Sequence, residues 1–127
     1  MADFFSAAAR RHRDDARHLA ASDRFQNAGH LIGFAVECLT KAVLERAGIP
    51  IDTQYRGHFP ELRGKLLNQG RTRAIRQLTP IIENENFLQG WRADCRYEDN
   101  IPAQDAKTLY DSWRADVDNV FRAAGIY

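Results

Sequence analysis

Residues 24–47, with the sequence RFQNAGHLIGFAVECLTKAVLERA, decide how this chain folds. Their apolar side chains recur at steps of three and four, which is the spacing of one face of an α-helix. This face consists of Ala28, Leu31, Ile32, Ala35, Leu39, Ala42 and Val43. Gly48 and Pro50 follow, and both favour the end of a helix. A helix over 24–47 is about 36 Å long at 1.5 Å per residue, so we expect it to cross the whole domain.

The segment before this helix predicts a second helix of similar kind. Over residues 3–21, an apolar stripe again runs at steps of three and four, and Asp3 stands where an N-terminal cap is expected. The stripe consists of Phe5, Ala8, His12, Ala16 and Leu19. Ser22 and Asp23 then predict a break, with Asp23 as the N-cap of the long helix.

Helical patterns continue after the long helix. We predict a loop over 49–59, a short helix over 60–68, a further helix from about Thr72, an irregular stretch over 83–101 and a last helix over 102–124. Pro80 lies inside the helix that begins near Thr72 and is expected to kink or end it. No segment alternates between apolar and polar residues as a strand does. The sequence therefore predicts one all-α domain over 1–127, an up-and-down bundle of four to five helices.

Composition excludes several classes of protein. The 127 residues carry a net charge of +1, so the chain as a whole has no strong electrostatic attraction to nucleic acid. No apolar run reaches the length of about 18 residues that a membrane span requires. The N-terminus has no signal-peptide pattern, and the two cysteines, Cys38 and Cys95, are far apart. We therefore expect a cytoplasmic protein with reduced thiols and no membrane association, and we predict no metal site and no cofactor.

The two N-terminal helices carry a family resemblance. Their polar and small residues follow the pattern His12-x-x-Asp15-Ala16-x-x-Leu19, then Arg24-x-x-Asn27-Ala28-x-His30-Leu31-x-Gly33-Phe34-Ala35-x-Glu37-Cys38-x-x-Lys41-Ala42-x-Leu44. This pattern resembles the first two helices of HEPN-domain proteins. The similarity continues more loosely through 58–62 and from Trp91 to Tyr97.

The resemblance implies a set of functions. HEPN domains are helical bundles that commonly form homodimers. Many are metal-independent ribonucleases in toxin–antitoxin, phage-defence and RNA-processing systems. Others are non-catalytic, and they bind nucleotides or RNA or associate with small nucleotidyltransferases.

One pair of residues matches the spacing of the family's nucleolytic motif, an Arg followed four to six residues later by a His. Arg24 precedes His30 by six residues, and such a pair would steady phosphate charge and transfer a proton. However, Phe25 stands where the motif usually has a polar residue. The pair also lies at the start of the second helix, whereas the family's motif is expected in the latter half of the domain. No histidine follows His58 there.

Two polar groups are further candidates. Glu37 lies beside the apolar stripe of the long helix, so its carboxylate needs a cation; we predict a cluster of Glu37, Lys41, Arg96 and Tyr97 that supports the fold or forms a binding pocket. His12, on the inner stripe of the first helix, is either a core residue or a partner of Asn27 and His30.

These observations lead to three hypotheses. The first is a HEPN-like nucleotide- or RNA-binding or partner module, non-catalytic and homodimeric, in a bacterial toxin–antitoxin, stress or defence system. The second is a metal-independent endoribonuclease that uses Arg24 and His30. The third is a structural subunit bound to a nucleotidyltransferase partner.

Overall fold

A computed structural model of the chain describes residues 3–49, 73–91 and 101–126. These residues form four helices, and the described part of the chain contains no strand. The helices are α1 (Asp3–Ala21), α2 (Phe25–Arg46), α3 (Arg73–Ile82) and α4 (Ala103–Ala124). The prediction of an all-α helical bundle is thus confirmed. Residues 50–59 of the loop predicted over 49–59, the predicted helix at 60–68, the predicted start at Thr72 and residues 92–100 of the predicted irregular stretch lie outside the described residues.

Helices α1 and α2 form an antiparallel hairpin. The ammonium group of Lys41 lies 5.9 Å from the ring centroid of Phe5, and the rings of His12 and Phe34 lie 6.1 Å apart. Residues later in α1 thus contact residues earlier in α2, so the two helices run in opposite directions. Three residues connect the helices, a length that is typical of two helices lying side by side.

Helix α4 closes the bundle against both partners. Arg13 of α1 lies over the ring of Phe121 at 4.3 Å, and Arg17 reaches Asp118 at 3.7 Å. These pairs make α4 antiparallel to α1 and therefore parallel to α2. The hydrophobic core lies between the three helices and extends to α3 and the turn after it. Its largest fully buried side chains are Ile32, Leu39, Leu44, Ile75, Leu78, Ile82, Val36, Val43, Val117 and Ile126.

Helices α1, α2 and α4 end with the same backbone motif. In each, one residue just beyond the helix adopts a positive φ, and the amide of the next residue donates a hydrogen bond to the carbonyl oxygen five residues before it. In α2 and α4 this residue is Gly48 (φ +82°) or Gly125 (φ +69°). In α1 it is Asp23 (φ +61°), whose neighbour Arg24 donates to the carbonyl of Leu19 at 2.8 Å.

Two local predictions concern the start of α2 and the end of α3. Asp23 does not cap α2, because it is committed to ending α1. Arg24 occupies the N-cap position of α2 without a side-chain hydrogen bond. Helix α3 continues past Pro80 to Ile82, and the amide of Glu83 still donates to Thr79 at 2.9 Å. A proline there removes only one hydrogen bond of the helix, so α3 ends shortly after the proline instead of at it.

Candidate functional site

Two histidines from different helices meet at one aromatic ring. The ring of His30 lies edge-on to Phe34 with centroids 4.8 Å apart, and the ring of His12 is tilted against the same ring at 6.1 Å. Trp91 completes the group, stacked on His30 at 6.0 Å and edge-on to Phe34 at 5.5 Å. We call His12, His30, Phe34 and Trp91 the histidine cluster. His12, His30 and Phe34 are half-buried, so the cluster reaches the protein surface, whereas Trp91 is only 3% exposed.

Small residues of α2 admit Trp91. Gly33 lies directly beneath the indole, and a Cβ at this position would overlap the ring. The indole N–H donates to the carbonyl oxygens of Gly29 and His30, each at 3.2 Å. A large aromatic side chain is thus held against the helix backbone by one donor shared between two acceptors.

The imidazole of His12 is kept neutral by its surroundings. Partial burial lowers its pKa, the nearby guanidinium of Arg11 lowers it further, and the carboxylate of Asp15 opposes both effects. At neutral pH, the His12 ring therefore has one donor nitrogen and one acceptor nitrogen.

Glu37 and Lys41, two of the polar residues predicted from sequence, lie further along α2. Glu37 is buried, with 4% of its surface exposed, and Lys41 is half-buried. Cys38 lies between these two residues in the sequence. Burial raises the pKa of its thiol and Glu37 raises it further, while Lys41 and Arg11 lower it. This upward shift lowers the fraction of thiolate, so the surroundings of Cys38 do not activate it as a nucleophile. In the described part of the chain, no group of three or more His, Cys, Asp or Glu side chains is placed to hold a metal ion.

The structure brings together only some of the residues predicted from sequence. His12 and His30 lie together at Phe34, and Glu37 and Lys41 lie further along α2. Asn27 is exposed on α2. Arg96 and Tyr97, the predicted partners of Glu37, lie outside the described residues.

Arg24 and His30 have different surroundings. Arg24 is exposed at the N-cap of α2, whereas His30 is packed between two aromatic rings. The next residue, Phe25, packs against Tyr110 of α4 with ring centroids 6.0 Å apart, which fixes the start of α2 in the bundle. A step of six residues on a regular helix separates two side chains by about 120°.

Sequence reasoning missed the roles of Phe34, Gly29 and Gly33. The available signal was the pair of glycines inside a strongly helical pattern. Glycine in a helix interior costs about 1 kcal/mol relative to alanine, so its presence commonly marks a close approach by another group.

Comparisons of the chain with protein-family models, with curated proteins and with solved structures each find no match. Among the described residues, no helix combines the length and the apolar character of a membrane span.

Proposed function

We propose that this protein is a HEPN-like module that binds a nucleotide or single-stranded RNA without cleaving it. In this proposal it acts as a homodimer in a bacterial toxin–antitoxin, stress or defence system. The observation that carries the proposal is the meeting of His12 and His30 at the half-buried ring of Phe34.

The rings of the cluster provide a surface for a base. Aromatic side chains that bind single strands do so by stacking, which contributes about 1–3 kcal/mol per base and tolerates any base. The Phe34 ring is fixed by three aromatic neighbours, so little side-chain entropy is lost when a ligand covers its accessible part. The neutral His12 ring adds one donor and one acceptor beside it, which suits the polar edge of a base.

The charges near the cluster favour a small ligand over a long phosphate chain. Among the described residues, Arg11 and Asp15 act on the pKa of His12 in opposite directions, so their charges offset one another beside the ring. A nearly neutral surface does not attract a duplex with one negative charge per ~1.7 Å of axis. It does suit one or two nucleotides, with the exposed Arg11 guanidinium contacting a phosphate.

The surroundings of His30 favour binding over cleavage. A histidine that transfers a proton needs access to the reacting oxygen, and here Phe34 and Trp91 occupy two sides of the ring.

A binding assay in EDTA tests the proposal. Fluorescent single-stranded RNA and unlabelled mononucleotides are titrated with wild type, Arg11→Ala and Arg17→Ala, and the RNA is examined on a gel afterwards. Arg17 is the matched control, because it is an exposed arginine of the same helix that points to α4 and contacts Asp118. We expect intact RNA, about three- to tenfold weaker binding for Arg11→Ala from the loss of one charged contact, and little change for Arg17→Ala.

Three other outcomes contradict the proposal. Equal loss in both variants indicates diffuse electrostatic attraction instead of a site. An absence of binding by wild type leaves the role of a partner subunit. Cleavage that disappears in His30→Ala establishes the endoribonuclease.

A further inference from the structure

The turn after α3 carries Trp91 to the histidine cluster. It spans residues 83–91, and its apolar side chains Phe87, Leu88 and Trp91 are buried. Trp91 is the last of these, so its position against His30 depends on how the turn is held. We refer to residues 83–91 as the tryptophan turn.

Helix α4 holds this turn at two adjacent residues. The carboxylate of Asp116 accepts a hydrogen bond from the amide of Leu88 at 2.8 Å. The indole N–H of Trp113 donates to the carbonyl of Gln89 at 2.9 Å. Both contacts reach backbone atoms within three residues of Trp91, and both come from the same face of α4, since 113 and 116 are one turn apart.

The backbone of the turn requires such support. Leu88 has φ +49°, in the left-handed region that is unfavourable for a residue with a side chain, and Gly90 has φ +86°. A residue persists in this conformation only when its surroundings fix it. The hydrogen bond from Leu88 to Asp116 acts on the strained residue itself.

Asp116 is a costly residue for a purely structural role. It is half-buried, and this burial raises the pKa of its carboxyl group, while the Leu88 amide opposes the effect. Burying the Asp116 carboxylate is unfavourable, and its hydrogen bond with the Leu88 amide fixes the backbone of the tryptophan turn. Trp91 follows Leu88 by three residues, so fixing the backbone at Leu88 also fixes the position of Trp91.

We propose that Asp116, together with Trp113, positions Trp91 against His30 and thereby sets the geometry of the nucleotide-binding surface. Asp116 touches no ligand in this proposal. It is a positioning residue that acts through the tryptophan turn, and its role in binding rests on the proposed function.

The first measurement follows the two indole N–H signals of the ligand-free protein by ¹⁵N NMR, in wild type, Asp116→Ala, Asp116→Asn and Asp118→Ala. Asp116→Asn keeps an oxygen that accepts the Leu88 hydrogen bond. Asp118→Ala is the matched control, because Asp118 is a half-buried neighbour on α4 that contacts Arg17 instead of the turn. We expect Asp116→Ala to shift the Trp91 signal and to speed its hydrogen exchange about tenfold or more through local opening. Asp116→Asn should restore both properties, and Asp118→Ala should change neither.

The second measurement repeats the RNA titration with the same variants. We expect about fivefold weaker binding for Asp116→Ala, because a displaced His30 weakens stacking, and recovery in Asp116→Asn. If Asp116→Ala does not fold, Trp113→Phe takes its place, since it removes the other contact to the turn and keeps an aromatic ring. Its Trp91 signal should shift as well.

Two results overturn the positioning role alone. One is a Trp91 signal that stays at its wild-type position when the contact is removed. The other is a shifted signal with unchanged RNA affinity. If wild type binds neither RNA nor nucleotide, the proposed function fails, and the role of Asp116 in binding fails with it, whatever the indole signals do.

Discussion

Substituting Gly33 by alanine tests the packing that forms the histidine cluster. By local preference this change should stabilise the protein, because alanine is favoured over glycine in a helix interior by about 1 kcal/mol. The tertiary structure predicts the opposite sign. A Cβ at Gly33 would overlap the six-membered ring of Trp91, a side chain that is only 3% exposed.

The expected magnitude follows from what Trp91 would lose. Complete loss of a buried Trp side chain costs about 3–5 kcal/mol, and a partial shift that overpacks a core costs about 1–3 kcal/mol. A Cβ that overlaps the indole ring cannot be accommodated by a small shift, so the first figure applies. After subtraction of about 1 kcal/mol for the helix preference of alanine, we expect Gly33→Ala to lower the free energy of unfolding by about 2–4 kcal/mol. For a domain of this size, that corresponds to a Tm lower by roughly 10 °C.

Urea unfolding followed by circular dichroism measures this change. Gly29→Ala provides a graded comparison, because a Cβ there would lie 2.9 Å from two ring carbons of Trp113. That distance requires a smaller shift, so we expect a smaller cost, of about 1–2 kcal/mol.

A double-mutant cycle isolates the cause. In a Trp91→Ala background the obstacle is gone, so Gly33→Ala should be neutral or stabilising by up to about 1 kcal/mol. The reasoning is refuted if Gly33→Ala is as stable as wild type, or if it destabilises the Trp91→Ala protein equally.

Two further predictions concern the titrating groups of the same surface. Burial, and then Arg11, lower the pKa of His12, so the unfolded chain binds more protons than the folded protein as the pH falls below the ordinary histidine value of 6.5. Stability should therefore fall with decreasing pH, and His12→Gln should flatten this dependence in urea titrations. His18→Gln is the control for losing an exposed imidazole of the same helix. A steeper dependence in His12→Gln would contradict this assignment. Because burial raises the pKa of the Cys38 thiol, a Cys95→Ser protein should react with a thiol reagent at pH 7 much more slowly when folded than in denaturant, and equal rates would show that the thiol is not protected.

The local structure was largely predictable from the chain. The predicted first helix, 3–21, has the observed bounds of α1, and the predicted second and last helices differ from α2 and α4 by a residue or two. Helix periodicity, and the glycine that follows α2 and α4, are properties of neighbouring residues, so they can be recognised without a partner segment. Where two local rules competed, the sequence did not settle the outcome: Asp23 was suited both to begin α2 and to end α1, and the structure assigns it to α1.

The candidate site was less predictable than the fold. His12 and His30 were each recognised as candidates. His12 was predicted to be either a core residue or a partner of Asn27 and His30. Phe34 was part of a family resemblance without an assigned role. The indole of Trp91 reaches the carbonyl of Gly29 across 62 residues of sequence, and no local pattern specifies such a contact.

The sequence by itself determined that this protein is an all-α bundle and where three of its helices begin and end, because helix periodicity and C-terminal caps depend on side chains only a few residues apart. Only the tertiary structure decided that His12, His30 and Trp91 converge on Phe34. That convergence depends on the antiparallel register of α1 and α2 and on two glycines that let an indole lie against the α2 backbone. Register and close approach are set by complementary shapes of surfaces far apart in the chain, and a single periodicity does not contain that information.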